Sequence, residues 1–150
     1  MPDAARQPAP AWGDEFTRPD LERLLAGVEE KDRAAFRGVL DALLRRKGCR
    51  ERIEWLGLPW RWAICVTRSQ TEHPALAYLI PKPVGALVCI PTPLLDPADP
   101  IAQALTKPIR AAMDRAPIIA GFAWPEWPIA ELDLVAVQPL LEARERAGGS

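Results

Sequence analysis

The residues best placed to do chemistry are two tryptophan groups and the glutamates set among them. Glu126 lies inside Trp124-Pro125-Glu126-Trp127-Pro128, and Glu54 directly precedes Trp55. A carboxylate walled by indole rings loses solvation, keeps its proton to higher pH and can act as a general acid or base. Glu126 and Glu54 are therefore the candidate catalytic residues. The rings themselves carry a second reading. Indoles are large, rigid and amphipathic, and they suit recognition surfaces as well as cores. Trp55, Trp60 and Trp62 form one group, Trp124 and Trp127 the other, and Tyr78 falls between them in sequence. Folding the second group over the first would line a concave apolar site from these six residues.

Other chemistries lack their parts. His73 is the single histidine, the chain has no Asn, and Ser69 is the one serine outside the C-terminal tail. A Ser-His-acid triad would need Ser69 and His73 from one loop, whereas such triads are assembled from separate elements. Zinc asks for about four N/S ligands, against one His and the widely spaced Cys49, Cys65 and Cys89. The thiols read as small reduced hydrophobes, and a Cys65–Cys89 bridge would require neighbouring strands. No glycine cradle for a dinucleotide, phosphate loop or EF-hand pattern occurs. The expected cofactor set is empty.

The chain carries a net charge of −1, so no global positive field draws nucleic acid or an anionic membrane. Arg45-Arg46-Lys47, with Arg50 and Arg52, reads as a solvated face interrupted by Glu51. Arg61, between Trp60 and Trp62, suits a cation–π contact. The longest uncharged stretch, Pro83–Leu95, is too short and too proline-rich to span a bilayer, and Met1–Pro10 lacks the apolar core of a signal peptide. A cytoplasmic domain is expected, with neither nucleic-acid nor membrane partners.

The elements that must position these residues follow from periodicity. Residues 1–13 read as a disordered Ala/Pro-rich arm, 14–147 as one domain and 148–150 as a frayed tail. A helix from Pro19 to Val28, capped at Thr17, precedes a second from Lys31 to Lys47 closed at Gly48. From Glu51 the period becomes two: Glu51–Leu56, then Trp60–Val66 with Trp60, Trp62, Ile64 and Val66 on one face. Ala75–Ile80 and Val84–Ile90 read as central strands joined through Pro81-Lys82-Pro83. An irregular crossing over Pro91–Pro100 leads to a helix at Pro108–Arg115. A loop or broken edge strand over Pro117–Pro128, a fifth strand over Glu126–Glu131 and an Asp133-capped helix over Leu134–Arg146 complete the chain. The fold class is α+β, an antiparallel meander of four to five strands flanked by N-terminal and C-terminal helices.

Across residues 15–147, Glu54-Trp55, Trp60-Arg61-Trp62, Ala77-Tyr78-Leu79-Ile80-Pro81, Ala116-Pro117 and the Asp133 helix start resemble the domain of unknown function 3788 family. This sequence departs from that pattern in Pro91–Pro100 and in Trp124–Pro128. The resemblance implies a small cytoplasmic bacterial domain and brings no catalytic residue. The expected function is non-catalytic binding of a small apolar ligand or a protein partner. The alternatives are a carboxylate enzyme using Glu126 or Glu54, and a structural or regulatory homo-oligomer pairing through an exposed sheet face.

Overall fold

Segments that alternate, then segments apolar on both faces, pair in chain order between Arg50 and Cys89, as their patterns require. The computed structural model describes residues 11–69 and 72–148. Strands β1 (Arg50–Trp55), β2 (Trp62–Thr67), β3 (Ala77–Ile80) and β4 (Leu87–Cys89) make an antiparallel meander. Three short strands follow, β5 (Thr92–Pro93), β6 (Ile118–Ile119) and β7 (Phe122–Ala123), paired as a separate sheet in the order β5-β7-β6. Strand β8 (Glu126–Pro128) then returns to β4 and completes a five-stranded sheet in the order β1-β2-β3-β4-β8. Helices α1 (Leu21–Ala26) and α2 (Glu30–Leu44) precede the sheet. Helices α3 (Pro100–Ala104) and α4 (Lys107–Arg115) lie between β5 and β6, and α5 (Gln138–Gly148) comes last. The chain is α+β with helices at both ends.

One sheet face packs on helices. Ile64, Val66, Leu79 and Val88 meet Leu24, Phe36, Leu40 and Leu43 from α1 and α2, and Leu140 and Leu141 from α5. Each large apolar side chain buried there contributes roughly 1.5–3 kcal/mol. The opposite face holds a smaller cluster of Ala63, Cys65, Tyr78, Ile80 and Cys89.

Several boundaries differ from expectation. Asp20, not Thr17, caps α1, and its carboxylate accepts from the Arg23 amide at 2.8 Å. Helix α2 stops at Leu44, and Gly48 takes its left-handed turn (φ 79°) further on. Helix α5 starts at Gln138, because Pro139 has no N–H to donate and is tolerated only in a first turn. Asp133 instead caps the turn before it, accepting from Val135 and Ala136 amides. The crossing over Pro91–Pro100 contains β5, and α3 begins at its end. Of the two readings for Pro117–Pro128, a loop or a broken edge strand, the structure has the strand one: the β6-β7 hairpin, turned at Ala120 and Gly121 with φ of 54° and 84°, followed by β8. Two positive φ values are what a two-residue type I′ hairpin demands. The fifth strand ends at Pro128, and Ile129–Glu131 is a 3-10 turn.

Of the expected N-terminal arm, residues 1–10 lie outside the described residues. Ala11–Gly13 forms a 3-10 turn, and Trp12 packs against the apolar clusters of both sheet faces. Of the expected tail, Gly148 closes α5 and residues 149–150 lie outside the described residues. No helix among the described residues is long and apolar enough to cross a membrane.

Candidate functional site

The sheet divides the six aromatic candidates into two sets. Trp55 and Trp62 are register partners on β1 and β2, and their rings meet edge to face at 5.6 Å on the helix side. Trp127 packs on the same side. Trp60, Tyr78 and Trp124 lie on the opposite side, so the six do not line one concavity.

The cause is Arg61. Period-two alternation would place Trp60 beside Trp62, but Arg61 adopts a left-handed conformation with φ of 60°. Its amide donates to Gly57 O and its carbonyl accepts from the Leu56 amide at 2.8 Å, closing a loop before β2. The alternation is reset there and Trp60 swings to the second face. Arg61 does make the expected cation–π contact, but with Trp12, its guanidinium lying 5.1 Å from that ring centroid.

On the second face three rings pack mutually, with centroids 5.2 Å apart for Trp60–Tyr78, 5.8 Å for Tyr78–Trp124 and 6.1 Å for Trp60–Trp124. Both indoles are half-buried and Tyr78 is only 5% exposed, so Trp60 and Trp124 roof the centre of the sheet. Tyr78 Oη accepts from the Ala75 amide at 3.0 Å. The Trp12 indole N–H donates to Trp60 O at 2.8 Å, and the Trp60 indole N–H donates to Glu126 Oε1 at 2.9 Å.

Beneath the roof a single register row crosses all five strands: Arg52, Cys65, Tyr78, Cys89, Glu126. Cys65 and Cys89 lie on β2 and β4 with β3 between them, roughly 9.5 Å apart at the backbone. That exceeds the ~7 Å a disulfide can bridge, and all three cysteines are free. Burial, with the Glu54 carboxylate beside it, pushes the Cys65 thiol up to about 12. Burial also raises Cys89, with Glu126 adding to it, and raises the Tyr78 phenol. These thiols are inert at neutral pH.

The two candidate acids are differently placed. Glu54 is half-buried on the β1 edge, ion-paired to Arg52 at 2.7 Å and accepting from Cys65 Sγ at 3.7 Å. Glu126 is exposed on the other edge. Ser69 and His73 are both exposed in the β2–β3 loop. Among the described residues no three His, Cys, Asp or Glu side chains converge as metal ligands would.

Strand β8 borders a cleft. About 640 Å³ opens between α4 and the segment that follows β8, lined by Trp127 and Pro128, by Ile109 and Ala112 of α4, and by Leu132 and Ala136. Glu126, Glu131, Asp133 and Arg115 stand at the same cleft. Its volume lies within the ~300–1,000 Å³ of small-molecule sites. Trp127 was legible as a candidate. The α4 wall was not, because nothing in the spacing of Ile109 and Ala112 says which strand edge they face. Trp12 was missed altogether, its composition-poor neighbourhood hiding one anchoring indole. No family model, curated protein or solved structure matches the chain.

Proposed function

We propose that this domain is a non-catalytic binding module that takes a small apolar ligand in the cleft beside Trp127. One observation carries the reading: an indole on an edge strand, Trp127, forms a wall of a 640 Å³ cleft with an apolar floor. Ile109 and Ala112 are buried at that floor, so it is already built without a ligand. The Trp60–Tyr78–Trp124 group is less suited, because rings in mutual contact leave no slot between them.

Catalysis by carboxylate needs an acid shielded from water. Glu126 is exposed and already accepts from Trp60, and Glu54 is held by Arg52. A homo-oligomer pairing through the second sheet face would have to dock on the roof of Trp60 and Trp124. Membership of the domain of unknown function 3788 family and a cytoplasmic location belong to the same proposal, the latter favoured by three unbridged thiols.

Thermal-shift screening of uncharged apolar fragments tests the reading, since a ligand that binds the folded state raises Tm. Ala111 lines the cleft from α4 and is half-buried, so Ala111→Phe fills the space without entering the core. Fragments that stabilise the native protein should lose their effect on a folded Ala111→Phe variant. Fragments that act equally on both, or an absence of stabilising fragments, would contradict it.

A further inference from the structure

We infer that a second copy of this chain pairs along strand β6, joining the small sheets of the two copies edge to edge about a two-fold axis; the inference is independent of the Trp127 cleft. The β6-β7 hairpin leaves that edge open. The Trp124 amide donates to Pro117 O at 3.0 Å, which makes Pro117–Trp124 and Ile119–Phe122 the hydrogen-bonded pairs of the ladder. Ile118 falls between them, so its N–H and C=O point away from β7 and have no hydrogen-bond partner among the described residues. The side chains beside them are bare as well: Ile118 is 64% exposed, Ile119 58% and Leu94 58%.

Every other sheet edge among the described residues is guarded by charge or proline. Strand β1 carries Arg50, Glu51, Arg52 and Glu54, and the Arg18 guanidinium donates to Ile53 O on its outer side at 3.0 Å. Strand β8 carries Glu126 and Pro128, and β5 carries Pro93. Strand β6 is two isoleucines.

Symmetry and charge decide what covers it. Donor and acceptor sit on one residue, so the partner's Ile118, run antiparallel, exchanges both bonds with it. Ile118 also rims an apolar groove of about 380 Å³ that includes Leu94, Leu105 and Met113. A protruding isoleucine beside a groove matches its own copy. Arg110 and Asp114 are the charged residues at that groove, and they cancel. A charged partner therefore finds no net counter-charge there, whereas a two-fold repeat can set Arg110 against the partner's Asp114. So short a strand supplies few main-chain bonds, and the apolar contacts carry a weak association.

Sedimentation velocity of the full chain from about 5 to about 500 μM, a span suited to weak interfaces, should show the mass rising from 16.6 kDa toward twice that value. Ile118→Lys installs the charge that guarded edges carry. It should stay at 16.6 kDa throughout with an unchanged circular-dichroism spectrum, because the side chain it replaces is exposed. Phe16→Lys, made at a 90% exposed ring on a different surface, should associate as the native chain does. Hydrogen exchange at the Ile118 amide should slow as the native chain is concentrated. A native chain that stays at 16.6 kDa, association that survives Ile118→Lys, or an Ile118 amide whose exchange ignores concentration would each overturn the inference. None of these results bears on the Trp127 cleft.

Discussion

The Trp60 indole N–H donates to Glu126 Oε1 at 2.9 Å, tying the loop before β2 to the strand at the far edge of the sheet. Trp60 reaches that acceptor by lying over Tyr78, whose ring centroid is 5.2 Å away. The indole roof of the second face and the cleft beside Trp127 thus share one residue, Glu126. Its Ala variant leaves the exposed indole N–H to water, so stability should fall by only about 0.5–1.5 kcal/mol. Glu126→Gln keeps an acceptor oxygen and should stay near the native value. Urea denaturation of the two variants makes the comparison.

Removing the roof should cost more. Trp60→Ala strips an indole from Tyr78 and Trp124 and should destabilise by roughly 2–4 kcal/mol, below the range for fully buried tryptophans because the ring is half-exposed. It also uncovers thiols. In the native protein a thiol-specific reagent should label half-buried Cys49 first and leave Cys65 and Cys89 untouched. In the variant Cys65 should become reactive under native conditions.

The buried thiols set a pH dependence at the alkaline end. Cys65 lies at about 12 in the fold against an ordinary value of 9.0. Below pH 9 both folded and unfolded chains keep the proton, and the contribution is complete. As pH rises from about 9 toward about 12 the unfolded thiol ionises while the folded one resists, so stability falls by up to about 1.4 kcal/mol per pH unit for this group. Cys89 and Tyr78 are raised in the same direction and steepen the fall. Denaturation midpoints measured between pH 8 and 10.5 should decline, and less so in a Cys65→Ala, Cys89→Ala variant.

The β6-β7 turn offers a stabilising change. Ala120 holds φ at 54° ahead of Gly121, a conformation that costs an L-residue with a Cβ roughly 1–2 kcal/mol. Asn tolerates it, and Asn-Gly is the favoured pair for this turn. Ala120 is exposed, so nothing else changes. Ala120→Asn should raise stability by about 0.5–1 kcal/mol in thermal unfolding.

Long-period features were legible in the sequence and single-residue backbone states were not. The stripe of Phe36, Val39, Leu40 and Leu43 and the alternation from Arg50 to Val66 were enough for the α+β class, because burial enforces periodicity along a whole element. The face of Trp60 is not legible in the sequence, since one left-handed residue, Arg61, inverts the alternation and leaves no compositional trace. The Ala and Pro around Trp12 give its segment the composition of an arm, yet its indole packs against the apolar clusters of both sheet faces. The cleft pairs α4 with β8, elements whose adjacency depends on the β6-β7 hairpin lying between them. Periodicity carries no information about such adjacency.

The indole N–H resonances, assigned by single Trp→Phe variants and followed while apolar fragments are added, test ligand binding at the cleft most directly. The account predicts that fragments shift the Trp127 resonance first and furthest and leave Trp55 in place, and that they shift neither resonance in Ala111→Phe. Shifts centred on Trp60 and Trp124 with Trp127 unmoved would contradict it.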